Sequence, residues 1–193
     1  YKRQKLWMLQ TRAGKRTAKA SIKIAVDMVD EGLIKVEDAL LSIDPNQIYQ
    51  LLLPSLEEEA KKQAYSDQRL IATVLGASPG GASGKVVLHP DLANSMAQAG
   101  ETVILVRPET SPDDVHGMLA SAGILTSRGG TTSHAAVVAR GLGKPCVTGA
   151  ADIEVNPADG YLTCNNITVH QGEEISIDGL SGEVFRGVLT SVT

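Results

Sequence analysis

One stretch limits what this chain can fold into more than any other. Residues 123–147 read GILTSRGGTTSHAAVVARGLGKPCV. An apolar run from Gly123 to Leu125 meets a loop of small polar residues containing Gly129 and Gly130. His134 then opens an Ala/Val-rich helical segment that stops at Gly141-Leu142-Gly143. Strand, glycine turn and helix start in that order present free backbone N–H groups to an anion. A nucleophile at the helix mouth is the unusual addition.

The first N–H groups of a helix have no internal partner, and the aligned peptide dipoles leave about half a positive charge there. With Thr132 or Ser133 as N-cap, His134 lies in the first turn, where the field disfavours imidazolium and keeps a ring lone pair free. A phosphoryl group on that ring would meet the same N–H groups and the hydroxyls of Thr131, Thr132 and Ser133. No Asp or Glu occurs from Val115 to Ala151, while Arg128, Arg140 and Lys144 supply positive charge. His134 is therefore read as the catalytic nucleophile, with Arg128, Gly129, Gly130, Thr131, Thr132 and Ser133 stabilising phosphate.

The segment RGGTTSHAAVVARGLGKPCVTG resembles the phosphohistidine segment of the phosphoenolpyruvate-utilising enzymes. These include pyruvate phosphate dikinase, phosphoenolpyruvate synthase and enzyme I of the sugar phosphotransferase system. Upstream, ILVRPETSPDDVHGMLASAGILTSRGG looks most like the dikinase branch. The chain departs from that pattern at Thr131, where the dikinases usually carry methionine and the other two arginine. The resemblance implies a phosphoryl-carrier domain that interconverts ATP, phosphate and pyruvate with AMP, pyrophosphate and phosphoenolpyruvate. The alternatives are the equivalent domain of the synthase or enzyme I, or a non-catalytic module of the same fold. Thr132 matches a position that plant enzymes phosphorylate to switch activity off.

Composition fits a globular chain: 193 residues are 42% hydrophobic but only 3% aromatic, so the core must be aliphatic and alanine-rich. Two cysteines, Cys146 and Cys164, make no disulfide framework and point to a reducing, intracellular compartment, which the resemblance makes cytoplasm or an organelle such as a plastid or glycosome. No run of 18 apolar residues suggests a membrane span. His134, Cys146, Cys164 and His170 have ligand chemistry but no zinc spacing, so no metal site is expected within the chain.

Eight of the 18 basic residues precede the first acid, Asp27. The stretch lacks interleaved aromatics, which argues against nucleic acid. KLWMLQTRAGKRT instead resembles the last strand of the dikinase's ATP-grasp domain, with Gln10 and Arg12 where that family contacts ATP. The resemblance places residues 1–14 in a remnant of that domain, 15–70 in a helical linker and 71–193 in the phosphohistidine domain. It also implies Mg²⁺ held by flanking domains absent from this chain, and partners in the nucleotide-binding and phosphoenolpyruvate/pyruvate barrel domains of the same polypeptide. A homodimer is implied at full length. Alone, such a fragment, which begins with Tyr1, is not expected to complete turnover.

Several features set the expected elements. Ile22, Ala25, Val26, Val29 and Leu33 recur at helical spacing, with Gly32 as a C-terminal cap. Val36, Ala39, Leu40 and Ile43 make a second segment, Asp44-Pro45 starts a third, and Ser55 with Glu58 reads as a capping box. Residues 77–84 (ASPGGASG) read as a small-residue loop, with Gly80 and Gly81 as weak neighbours of the histidine; the P-loop pattern fails at Pro79 and Val86. Strands are expected at Val86–His89, Thr102–Arg107, Gly123–Thr126 and Cys146–Thr148. Helices are expected at Asp91–Ala99 and Ser111–Ser121. Turns fall at Asn165-Asn166, Gln171-Gly172 and Ser181-Gly182. Strands mixed with helices, then hairpins, predict an α/β domain with an added β layer. The resemblance sharpens this to a swivelling β/β/α phosphohistidine fold after a small helical linker.

Overall fold

The computed structural model describes Gln10, residues 18–45, Ile48 and residues 52–192. The described residues belong to two compact units, 1–51 and 52–193. In the first, α1 (Ala18–Asp30) and α2 (Val36–Ser42) bury Ala25 and Ala39. Gly32, at φ +71°, lets the Leu33 N–H return to the Met28 carbonyl and end α1. Of the third helical segment Asp44, Pro45 and Ile48 are described, the last two as helix, and of the remnant at 1–14 Gln10 alone is described.

The second unit is built on an eight-stranded sheet. Its middle is four parallel strands laid side by side in chain order: β4 (Gly81–Val87), β5 (Val103–Arg107), β6 (Gly123–Thr126) and β7 (Cys146–Thr148). Beyond β7 lies β3 (Leu75–Ser78); beyond β4 lie β11 (Glu174–Asp178), β12 (Glu183–Arg186) and β2 (Leu70–Thr73), each antiparallel to its neighbour. Parallel strands need crossovers. These are α4 (Pro90–Gln98), a 3₁₀ turn (Pro112–Asp114) running into α5 (Val115–Ala120), and α6 (His134–Leu142).

The period of two along these strands sorts side chains to two apolar layers. Val87, Val103, Leu105, Ile124 and Cys146 face the helices, packing with Ala93, Met118, Ala135, Ala136 and Ala139. Val86, Ile104, Val106, Leu125 and Val147 face the other way, against Ile153, Leu162, Cys164 and Val169. The last four cover that face from β8 (Glu154–Asn156), β9 (Tyr161–Cys164), β10 (Ile167–His170) and the approach to them; the strands form a separate three-stranded antiparallel sheet. Strands buried on both faces explain the unbroken apolar run VILV. The architecture is a mixed α/β one, with helices on one side of the sheet and a second β layer on the other.

Two local expectations need correction. Residues 77–84 are mostly strand, with only Pro79-Gly80 between β3 and β4. The small residues are there because main chain crowds them: a Cβ on Gly84 would lie 2.7 Å from the Thr102 carbonyl, and one on Gly81 2.6 Å from Leu56 N. Ser55 and Glu58 form no capping box. Ser55–Leu56 is a short strand, β1, paired with β13 (Ser191–Val192), and Glu57 is the N-cap of α3 (Glu58–Ser66). The second compact unit itself begins at Leu52, ahead of these strands.

The reason for this start is α3, which is polar overall but docks one face on the sheet. Ala64 is fully buried, and Tyr65 meets Phe185 edge-on at 5.5 Å between ring centroids. Lys61 Nζ pairs with Asp178 Oδ2 at 2.8 Å and with Glu183, whose carboxylate also accepts from the hydroxyls of Tyr65 and Ser181. Burial alone would raise both carboxyls. The hydrogen bond from Lys61 and the neighbouring donors instead hold them below the ordinary range. Burial alone would lower Lys61, and the two carboxylates more than offset it.

Candidate functional site

The carboxyl ends of β5 and β6 define one rim of the sheet, where Arg107 and Thr126 are paired residues. The loops leaving that rim are stitched together. Ser127 N–H donates to the Arg107 carbonyl at 3.2 Å, and Arg128 N–H to the Pro108 carbonyl at 2.8 Å. Thr126 Oγ1 donates to the Arg128 carbonyl at 2.8 Å. Gly129 then turns the chain at φ +110°, and Gly149, at φ +70°, backs against it: a Cβ there would stand 2.8 Å from the Gly129 carbonyl.

That turn delivers Ser133 as the N-cap of α6, its Oγ accepting from Ala136 N at 3.4 Å and its carbonyl from Val137 N at 3.0 Å. The N–H groups of His134 and Ala135 keep no acceptor among the described residues. Alanines at 135, 136 and 139 let the helix lie close on the sheet, and Gly143, left-handed at φ +65°, ends it. The half-buried His134 ring thus stands at the open end of the helix. Its Nδ1 lies 3.0 Å from Thr110 Oγ1.

Thr110 decides what the ring can do. With the Thr110 oxygen accepting from Nδ1–H, the lone pair sits on Nε2, the nitrogen without a protein partner among the described residues. The two residues are 24 positions apart, so the contact leaves no local signal in the sequence. Its only trace is that Thr110 begins the Thr-Ser-Pro-Asp-Asp run.

The predicted site residues sort as follows. Thr131 and Thr132 are exposed beside the ring's helix, and Arg140 Nη2 holds the Thr131 carbonyl at 2.6 Å. Arg128 is exposed and lines an open cleft of about 530 Å³ with Pro108, Ser127, Ile153, Glu154 and Val155. Gly129 shapes the turn, and Gly130 faces open space. Gly80 and Gly81 are not neighbours of His134. They sit at the opposite rim, where a Cβ on Gly80 would meet Pro145, the residue preceding β7. Gln10 is exposed, and Arg12 lies outside the described residues.

Cys146 and Cys164 are buried on opposite faces of the sheet, so the four candidate metal donors do not converge. Among the described residues no three His, Cys, Asp or Glu side chains could hold a metal ion.

Helix-mouth amides, hydroxyls and an oriented imidazole together can receive an anion and set a nucleophile beside it. Residues 99–182 match the family described as "PEP-utilising enzyme, mobile domain". The chain is 52% identical over 185 residues to a pyruvate, phosphate dikinase of Rhizobium meliloti (strain 1021), covering 96% of this chain. It is 52% identical over 183 residues to pyruvate, phosphate dikinase 2 of Zea mays and 49% over 184 to the chloroplastic dikinase 1 of Arabidopsis thaliana, each covering 95% of this chain. It spans only about a fifth of the length of these relatives, 20%, 20% and 19%.

Proposed function

We propose that His134 is the phosphoryl carrier of a pyruvate, phosphate dikinase. The observation that carries this is the imidazole at a helix mouth, with Nδ1 engaged by Thr110 and Nε2 open. The Nε2 lone pair attacks the β-phosphorus of ATP; the bond to the α,β-bridging oxygen breaks, and AMP leaves with the electron pair. Inorganic phosphate takes the terminal phosphoryl, releasing pyrophosphate. The remaining phosphoryl passes to the enolate oxygen of pyruvate, giving phosphoenolpyruvate. Throughout, Nδ1–H stays on Thr110, and the free amides of His134 and Ala135 face the phosphoryl oxygens.

ATP, Mg²⁺ and pyruvate are assigned to the nucleotide-binding and barrel domains of a longer polypeptide, a homodimer at full length. That the matched relatives are about five times longer supports this. Residues 71–193, with α3 packed on them, are the swivelling part in this reading, the helical segment before α3 is the hinge region, and Gln10 and Arg12 mark the end of the nucleotide-binding domain. The buried free thiols suit a reducing compartment, cytoplasm or plastid. No described helix is long and apolar enough to cross a membrane. Thr132, exposed two residues before the histidine, is proposed as a regulatory phosphorylation site: a dianion there would occupy the anion site.

The test is labelling of the full-length protein with radioactive phosphoenolpyruvate. Acid-labile, base-stable label that disappears in His134→Asn is expected; label that persists in the variant, or never forms in the parent, defeats the proposal. A requirement for inorganic phosphate in the ATP half-reaction separates a dikinase from a synthase.

A further inference from the structure

We infer that the Arg107–Asp114 pair, acting through Ser111, positions the Thr110 hydroxyl on His134 and so selects which imidazole nitrogen is free to react. The inference rests on the carrier role proposed for His134. Asp114 is a buried carboxylate, 3% exposed, in a site otherwise made of hydroxyls and amides. It doubles back on the residue next to Thr110: Oδ2 accepts from Ser111 N–H at 2.8 Å and from Ser111 Oγ at 3.3 Å, while Asp114 N–H returns to the Ser111 carbonyl at 3.0 Å. Oδ1 faces Arg107 Nη2 at 3.5 Å, and Arg107 Nη1 is fixed on the Leu88 carbonyl at 3.1 Å.

On the other side of Thr110, the Pro108 carbonyl accepts from Arg128 N–H at 2.8 Å and from Ser127 Oγ at 3.3 Å. Thr110 is therefore suspended between two anchored points, two residues before it and one after. The arrangement is a poor stability device. The ion pair is long, and the buried Arg107 Nε has no acceptor among the described residues. Taking a carboxylate out of water is costly, and an apolar residue of similar size often does better. What the carboxylate supplies is a fixed place for the hydroxyl that must accept from Nδ1–H. A displacement of about 1 Å in such a group can cost roughly a hundredfold in rate.

The experiment uses the full-length protein and two readouts: the rate of label transfer from phosphoenolpyruvate, and the ¹⁵N spectrum of the His134 imidazole, assigned with His134→Asn. Asp114→Asn is expected to slow transfer by about 10- to 100-fold with little change in KM, and to move the ring toward the other tautomer. Because it acts through Thr110, it should add nothing in a Thr110→Val background. Arg107→Gln, which keeps the loop sequence, should give a smaller loss with the same dependence on Thr110, and serves if Asp114→Asn fails to fold. Losses that multiply across Thr110→Val, or an imidazole spectrum unchanged by Asp114→Asn and Arg107→Gln, overturn the inference. If the parent takes no label at all, the carrier proposal falls, while the imidazole spectra still decide whether these residues set the ring.

Discussion

Two polar clusters lie in the same α/β unit and are built on opposite principles. Around Lys61, charges are matched inside the protein: one ammonium, the Asp178 and Glu183 carboxylates, and hydroxyls from Tyr65 and Ser181, joining segments 117 residues apart. Around His134, one imidazole stands among exposed hydroxyls and free amides, leaving attractive potential unspent. The members of the first cluster are partnered with one another; in the second the N–H groups of His134 and Ala135 have no acceptor among the described residues. Saturated polar groups hold a fold, and unsaturated ones await a reactant.

Removing each centre should separate the two. His134→Asn should abolish phosphoryl labelling and move the denaturation midpoint by no more than about 0.5 kcal/mol, as half-exposed sites do. Lys61→Met should do the reverse. It leaves two buried carboxylates without their cation, at about 3–5 kcal/mol, while label per folded molecule is unchanged.

Acid sharpens the contrast. Asp178 and Glu183 titrate lower folded than unfolded, so their contribution is complete above the unfolded carboxylate values near pH 4 and disappears as pH falls through the folded ones. Lys61 titrates higher when folded, so its share is complete below about pH 10 and is lost only above that. Denaturation midpoints should fall below about pH 5, and Lys61→Met should blunt that acid limb.

Smaller effects concern α6 itself. Ser133→Ala removes the N-cap oxygen and should cost about 1 kcal/mol by chemical denaturation. Gly141→Ala should stabilise by about 0.5–1 kcal/mol, because a Cβ there meets nothing within 4 Å and glycine is a poor helix former.

The core of the carrier segment was legible because each of its signals is local. The apolar run of β6, the Ser133 cap, the alanine face of α6 and the Gly143 stop all act over a few residues. The errors came from long-range causes. Residues 77–84 look like a loop in composition, yet they are strand because Thr102, Leu56 and Pro145 approach where only small side chains fit. Ser55 could equally have capped a helix or joined a strand, and a partner at residue 192 decided it. The acid-free window around His134 was real along the chain. In space Asp114 stands one residue outside it and reaches the loop that carries Thr110.

The pairing of β1 with β13 has a mechanical consequence. Ser55 lies opposite Val192, in a sheet made of these two strands alone. Each strand is therefore the other's only sheet partner among the described residues, so fraying of the last would strip the first of its ladder as well.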